Sequence, residues 1–135
     1  MATQKIEQFT DLNAWKESHK LALFVYKATK IFPKEEMFGL ANQMRRAAVS
    51  ITSNIAEGFG RRSSKEKLQF YYLSKGSLNE EKNQLLISRD VGYLENDLFT
   101  EGMKQANIAD QLLQGLIRSA ALRTGSYFRN NTSSH

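Results

Sequence analysis

The sequence contains no cysteine, which excludes disulfides, thiolate metal sites and thiol nucleophiles together. That absence fits a reducing cytoplasm, the expected location, without requiring it. Only one proline occurs in 135 residues, so long helices can run unbroken. Long apolar runs are also missing. The longest, residues 21–26, is far short of the ~18 residues that a membrane span needs, and no membrane partner is expected. Residues 1–7 are polar and lack the apolar stretch of a signal peptide. Histidine is scarce: His135 is terminal, and His19 has no histidine or acidic pair at metal-ligand spacing. No serine has a plausible histidine base beside it, and the adjacent Glu80 and Glu81 diverge on a helix instead of facing each other. Gly58-Phe59-Gly60 follows a helical pattern and lacks the lysine of a phosphate-binding loop. No catalytic residue, metal site or cofactor is therefore expected, and the chain reads as non-enzymatic.

What is present is a hydrophobic fraction of 41% arranged with helical periodicity throughout. The pattern predicts an all-α protein, an up-down-up-down antiparallel four-helix bundle in one domain over residues 1–125, followed by a polar tail at 126–135. The helices are expected at about 11–31, 37–57, 64–91 and 97–122. The first carries Leu12, Trp15, Ala22, Leu23 and Tyr26 on its core face, flanked by Leu21, Phe24, Val25 and Ala28, and Ile31-Phe32-Pro33 ends it. The second shows a stripe of Leu40, Met44, Ala47, Ala48, Ile51 and Ile55, with Gly58 placed as a left-handed terminator. Ser63 and Glu66 form a capping-box pattern that opens the third. Gly76 and Ser77 weaken that helix in its middle, as if to admit a close neighbour. The fourth has the stripe Leu98, Ala106, Ala109, Leu112, Leu113, Leu116, Ile117 and Ala120. The apolar surface on the first helix exceeds what one small core absorbs, which points to self-association.

Two surface features stand out. Gln43, Arg46, Ser50, Asn54 and Glu57 form a polar row on one side of the second helix. It fits an ordinary wet face, or a subunit interface in which Arg46 and Glu57 pair. The other feature is the basic cluster Arg61, Arg62, Lys65 and Lys67, with Phe59, Tyr71 and Tyr72 nearby. Charge is unevenly spread: residues 45–67 hold 6 basic and 2 acidic side chains (+4), residues 68–101 hold 3 and 6 (−3), and the last 34 residues hold 4 and 1 (+3). Arginines at a helix start can bind phosphate bidentately, and aromatics beside them can stack on bases. The alternative is a solvated turn that keeps the protein soluble. No groove-reading motif is evident, so nucleic-acid binding here would be electrostatic, with RNA favoured over duplex DNA. A protein-interaction scaffold is the rival reading.

Several motifs together resemble a known family. They are Phe9-x-Asp11-Leu12-x-x-Trp15; Phe32-Pro33-x-x-Glu36-x-Phe38-Gly39-Leu40-x-x-Gln43-x-Arg45-Arg46-Ala47; Ser50-Ile51-x-x-Asn54-Ile55-Ala56-Glu57-Gly58; Gly76-Ser77-Leu78-x-Glu80; and Gly92-Tyr93-Leu94. The chain resembles, over about residues 9–122, the bacterial four-helix-bundle proteins encoded by intervening sequences of 23S ribosomal RNA genes. Lys82 and Asn83 depart from the more apolar or acidic character expected after Glu80. The resemblance implies a ring-shaped homopentamer. It also implies a fold similar to the accessory protein of diversity-generating retroelements, a basic pentamer that binds nucleic acid and a reverse transcriptase. It implies no established biochemical role.

Overall fold

The computed structural model describes residues 5–124, and the tail expected at 126–135 lies outside them. Four helices make the fold: α1 (Asn13–Thr29), α2 (Leu40–Phe59), α3 (Ser64–Asp90) and α4 (Asn96–Thr124), with short 3-10 turns at Phe9–Asp11 and Lys34–Glu36. α1 and α3 each pack against α2 and α4, and the described residues make no diagonal α1–α3 or α2–α4 packing. Neighbouring helices run in opposite senses. The Ser88 hydroxyl of α3 donates to Met44 Sδ of α2, whereas Ser74, earlier in α3, donates to the Ile51 carbonyl, later in α2. Similarly, Gln105 of α4 donates to Glu17 of α1, while the earlier Gly102 meets the later Phe24.

Leu21, Val25, Met44, Ile51, Ile55, Leu78, Leu85 and Leu113 are fully buried, each contributing on the order of 1.5–3 kcal/mol by leaving water. The stripes expected on α2 and α4 face this core, with Leu40, Leu98, Leu112 and Leu116 half-buried against it. The face of α1 differs from expectation. Leu23 and Tyr26 are exposed, while Leu21, Val25 and Ala28 are buried together with Ala14 and Ser18. Leu12, Trp15 and Ala22 do meet the core, so the expected stripe fails only at Leu23 and Tyr26, where Leu21 and Val25 take the inward positions.

Glycine positions show where helices come closest. The sequence pattern places Gly58 at the end of α2 in a left-handed conformation, but α2 runs on to Phe59 and is capped by Gly60 at φ −76°. The reason for glycine at 58 is contact: a Cβ there would lie 2.6 Å from Tyr71 Cε1. At Gly102 a Cβ would lie 2.5 Å from Phe24 Cε1. Gly76, expected to admit a neighbour, has none among the described residues: a Cβ added to it would meet none of their atoms within 4 Å, because it sits on the outer face of α3. Only Gly92, in the α3–α4 turn, has a positive φ among the described residues (86°).

α3 is unusual in what it buries. Ser74, Glu81, Gln84 and Ser88 face inward beside Tyr71, Leu78 and Leu85, while Tyr72, Leu73, Leu86 and Ile87 face outward. Both Glu81 carboxyl oxygens, the side-chain amide oxygen of Gln84 and the Ser18 hydroxyl are buried without a hydrogen-bond partner among the described residues. Burial, reinforced by the neighbouring Glu80 charge, pushes the Glu81 carboxyl up to about 9, so it is protonated at neutral pH. Elsewhere α3 is fastened to α4 by ions: Lys75 and Lys82 donate to the two oxygens of Asp110 at 2.5 and 2.6 Å.

Candidate nucleic-acid interface

The basic cluster is built around a tight connection between two helices. The last carbonyls of α2 have no partner within the helix, and Lys67 supplies one: its ammonium donates to the Phe59 carbonyl at 2.6 Å and the Gly58 carbonyl at 3.4 Å. A cation there also complements the negative end of the helix dipole. Lys67 lies 5.3 Å from the centroid of the Phe59 ring. Four residues separate α2 from α3, and Ser63 caps α3 by accepting the Glu66 N–H at 3.1 Å. One of the amide groups that a helix start leaves without an intrahelical partner is therefore occupied.

The four cations divide into two kinds. Arg61 donates to Glu57 at 2.7 Å and stacks over the Phe70 ring, so its charge is partly answered within the protein. Lys67 is half-buried on the α2 carbonyls. Desolvation, and secondarily the charge of Arg123, hold its ammonium below the usual lysine range. Arg62 and Lys65 are exposed and pair with no acidic side chain of the described residues. The structure thus brings all four to one end of the bundle, with two of them free to meet an outside anion. It adds a fifth cation that sequence reasoning did not single out, Arg123 in the last turn of α4. The signal was the positive last quarter of the chain, which carries no spatial address until α4 folds back beside the start of α3.

The polar row on α2 is also divided. Ser50 is 2.8 Å from Ser77 of α3, and the Asn54 amide donates to the Ser50 carbonyl and hydroxyl at 2.9 and 3.0 Å. Ser50 thus joins α2 to α3, and Asn54 braces it from within α2. Glu57 is engaged by Arg61 of its own chain. Gln43 and Arg46 stay exposed beside an open groove of about 500 Å³, shared with Ser77, Glu80 and Phe38, the last 95% exposed.

The profile of the family described as 23S rRNA-intervening sequence protein matches residues 10–115. The chain belongs to this family. A crystal structure of an S23 ribosomal protein family member of unknown function from Bacteroides thetaiotaomicron superposes with a TM-score of 0.71 at 18% identity. The match covers 78% of the present chain and 95% of that one, and at this identity it shows a shared fold. No curated protein matches the sequence. Within the 23S rRNA-intervening sequence fold, the described residues contain no group of three or more metal-ligating side chains, and no helix among them is long and apolar enough to cross a membrane.

Proposed function

We propose that this 23S rRNA-intervening sequence protein is a non-enzymatic, self-associating protein that contacts the phosphate backbone of RNA. The observation that carries the reading is the presentation of Arg62 and Lys65 at the α2–α3 connection, exposed and without an acidic partner among the described residues. Lys67 ties that connection to the end of α2, so the two cations project from a fixed point. Exposed Tyr26 and Val49, on two different helices, line one surface groove with Arg46, and an apolar patch shared in this way supports self-association. A homopentamer, as the family resemblance implies, would repeat the basic patch around a ring and let one RNA engage several copies at high effective concentration.

Salt-titrated binding of a single-stranded RNA tests the reading. The logarithm of affinity is expected to fall linearly with that of salt, with a slope of about −0.7 per phosphate contact. Arg62→Glu with Lys65→Glu flattens the slope and weakens binding to all sequences alike. A wild-type protein with no salt-dependent RNA binding near physiological ionic strength instead supports a protein-interaction scaffold, for which the fully exposed Phe38 beside the Arg46 groove is the natural contact.

A further inference from the structure

Next to the basic turn, at the end of the bundle where α2 stops and α4 finishes, lies a partly enclosed cavity of about 310 Å³. Its polar lining is Lys67, Arg123, Tyr71 and Ser119, and its apolar lining includes Phe59 and Leu116. No described acidic residue lines it. Arg123 makes no hydrogen bond or ion pair with the described residues, and neither the Tyr71 nor the Ser119 hydroxyl makes a hydrogen bond with them. Lys67 uses two donor directions on the Phe59 and Gly58 carbonyls; an ammonium has three, so one remains. The Tyr71 ring is held in place by its close fit over Gly58.

Two cations sharing a cavity repel each other, and although the carbonyls at the end of α2 partly answer Lys67, no acidic side chain of the described residues lines the cavity to balance the pair. Desolvation and the Arg123 charge already lower the Lys67 pKa. Burial raises the Tyr71 pKa, with Arg123 opposing it, so the phenol stays a proton donor at neutral pH. A carboxylate brings one negative charge. A phosphate monoester brings about −1.5 to −2 at pH 7 and three acceptor oxygens, which suits two cations and two hydroxyls better. Phe59 and Leu116 then offer an apolar wall to a planar group attached to the phosphate.

We propose that this cavity binds a nucleoside monophosphate, with the phosphate between Lys67 and Arg123 and the base against Phe59 and Leu116. The choice of a nucleotide over another phosphate monoester rests on the RNA reading above. Its source is a free mononucleotide or the phosphorylated end of an RNA chain.

Isothermal titration calorimetry on the full chain at low salt tests the site with AMP, adenosine and inorganic phosphate as separate probes. AMP is expected to bind at one per chain, and adenosine and phosphate each at least tenfold more weakly. Arg123→Gln weakens AMP at least tenfold and Tyr71→Phe severalfold, with unchanged circular dichroism. Arg62→Glu with Lys65→Glu leaves AMP affinity within about twofold while weakening long RNA, so failure of the patch and failure of the pocket are separable. A 5′-phosphorylated RNA oligomer that binds tighter than its 5′-hydroxyl twin, and is displaced by AMP, identifies the chain end as the source. Equal binding of the two oligomers leaves the free nucleotide as the ligand. AMP binding no tighter than inorganic phosphate, or unaffected by Arg123→Gln, overturns the proposal.

Discussion

Two carboxyl groups on neighbouring helices, Glu81 and Asp110, have opposite environments and should respond to pH in opposite ways. Glu81 keeps its proton in the folded state up to about pH 9, whereas a freely solvated glutamate loses it near 4.5. Between those values the unfolded chain binds fewer protons than the folded one, so stability falls as pH rises through that window and levels off above it. Glu81→Gln removes the titration while preserving shape. Urea unfolding should show the variant about 2–4 kcal/mol more stable than the parent at pH 8, with little difference at pH 4. At Asp110 burial opposes ionisation, but the hydrogen bonds from Lys75 and Lys82 and their charges outweigh it and hold the carboxyl below its ordinary value. This contribution is full above the unfolded pKa and is lost as pH falls through the folded one. Asp110→Asn leaves two half-buried lysines facing each other and should cost about 1–3 kcal/mol at neutral pH. A loss that stays constant while Asp110 is titrated to its protonated form would show that the ion pairs are not the cause.

Among the elements, α3 separates what the sequence could reveal from what it could not. Its start was readable, because a serine three residues before a glutamate has a local reason to cap, and Ser63 does cap it. Its end was readable from Gly92. Its inward face was not, since Ser74, Glu81, Gln84 and Ser88 break the rule that apolar periodicity marks the core. The bulky Tyr72, Leu73, Leu86 and Ile87 face solvent instead, so apolar residues surround α3 without marking one face. The basic turn could be located from charge density alone, but its division into engaged and free cations depends on Glu57, Phe59 and Phe70, partners that only folding brings into range. Gly76 provides a test at this scale. With open space around it, Gly76→Ala should stabilise the helix by about 0.5–1 kcal/mol, seen as a higher thermal midpoint of the isolated protein. If the substitution instead disrupts association, a second copy approaches α3 at that point.

For the whole molecule, the decisive measurement is the number of copies. Light scattering coupled to size exclusion is expected to show a closed oligomer at micromolar concentration, five subunits if the family resemblance holds, because a heterologous contact that closes avoids open filaments. Arg46 is the charged member of the polar row that is exposed without a partner among the described residues. Arg46→Ala should weaken assembly while leaving helicity nearly intact, and an unchanged oligomer would return that row to the solvent face. Because the acid that stabilises by ionising and the acid that destabilises by titrating sit in one bundle, their combined contribution to stability should peak near about pH 4–5. This peak lies well below the sequence pI of about 9.5.

The unpartnered carboxyl in α3 also leaves a thermal signature. At pH 7 the folded chain holds a proton on Glu81 that the unfolded chain does not, so each unfolding event delivers about one proton to the buffer. The calorimetric enthalpy should then depend on what takes up that proton. Matched scans in phosphate and in Tris, at one pH and ionic strength, should differ by the gap between the two buffers' ionisation heats, and Glu81→Gln should abolish the difference.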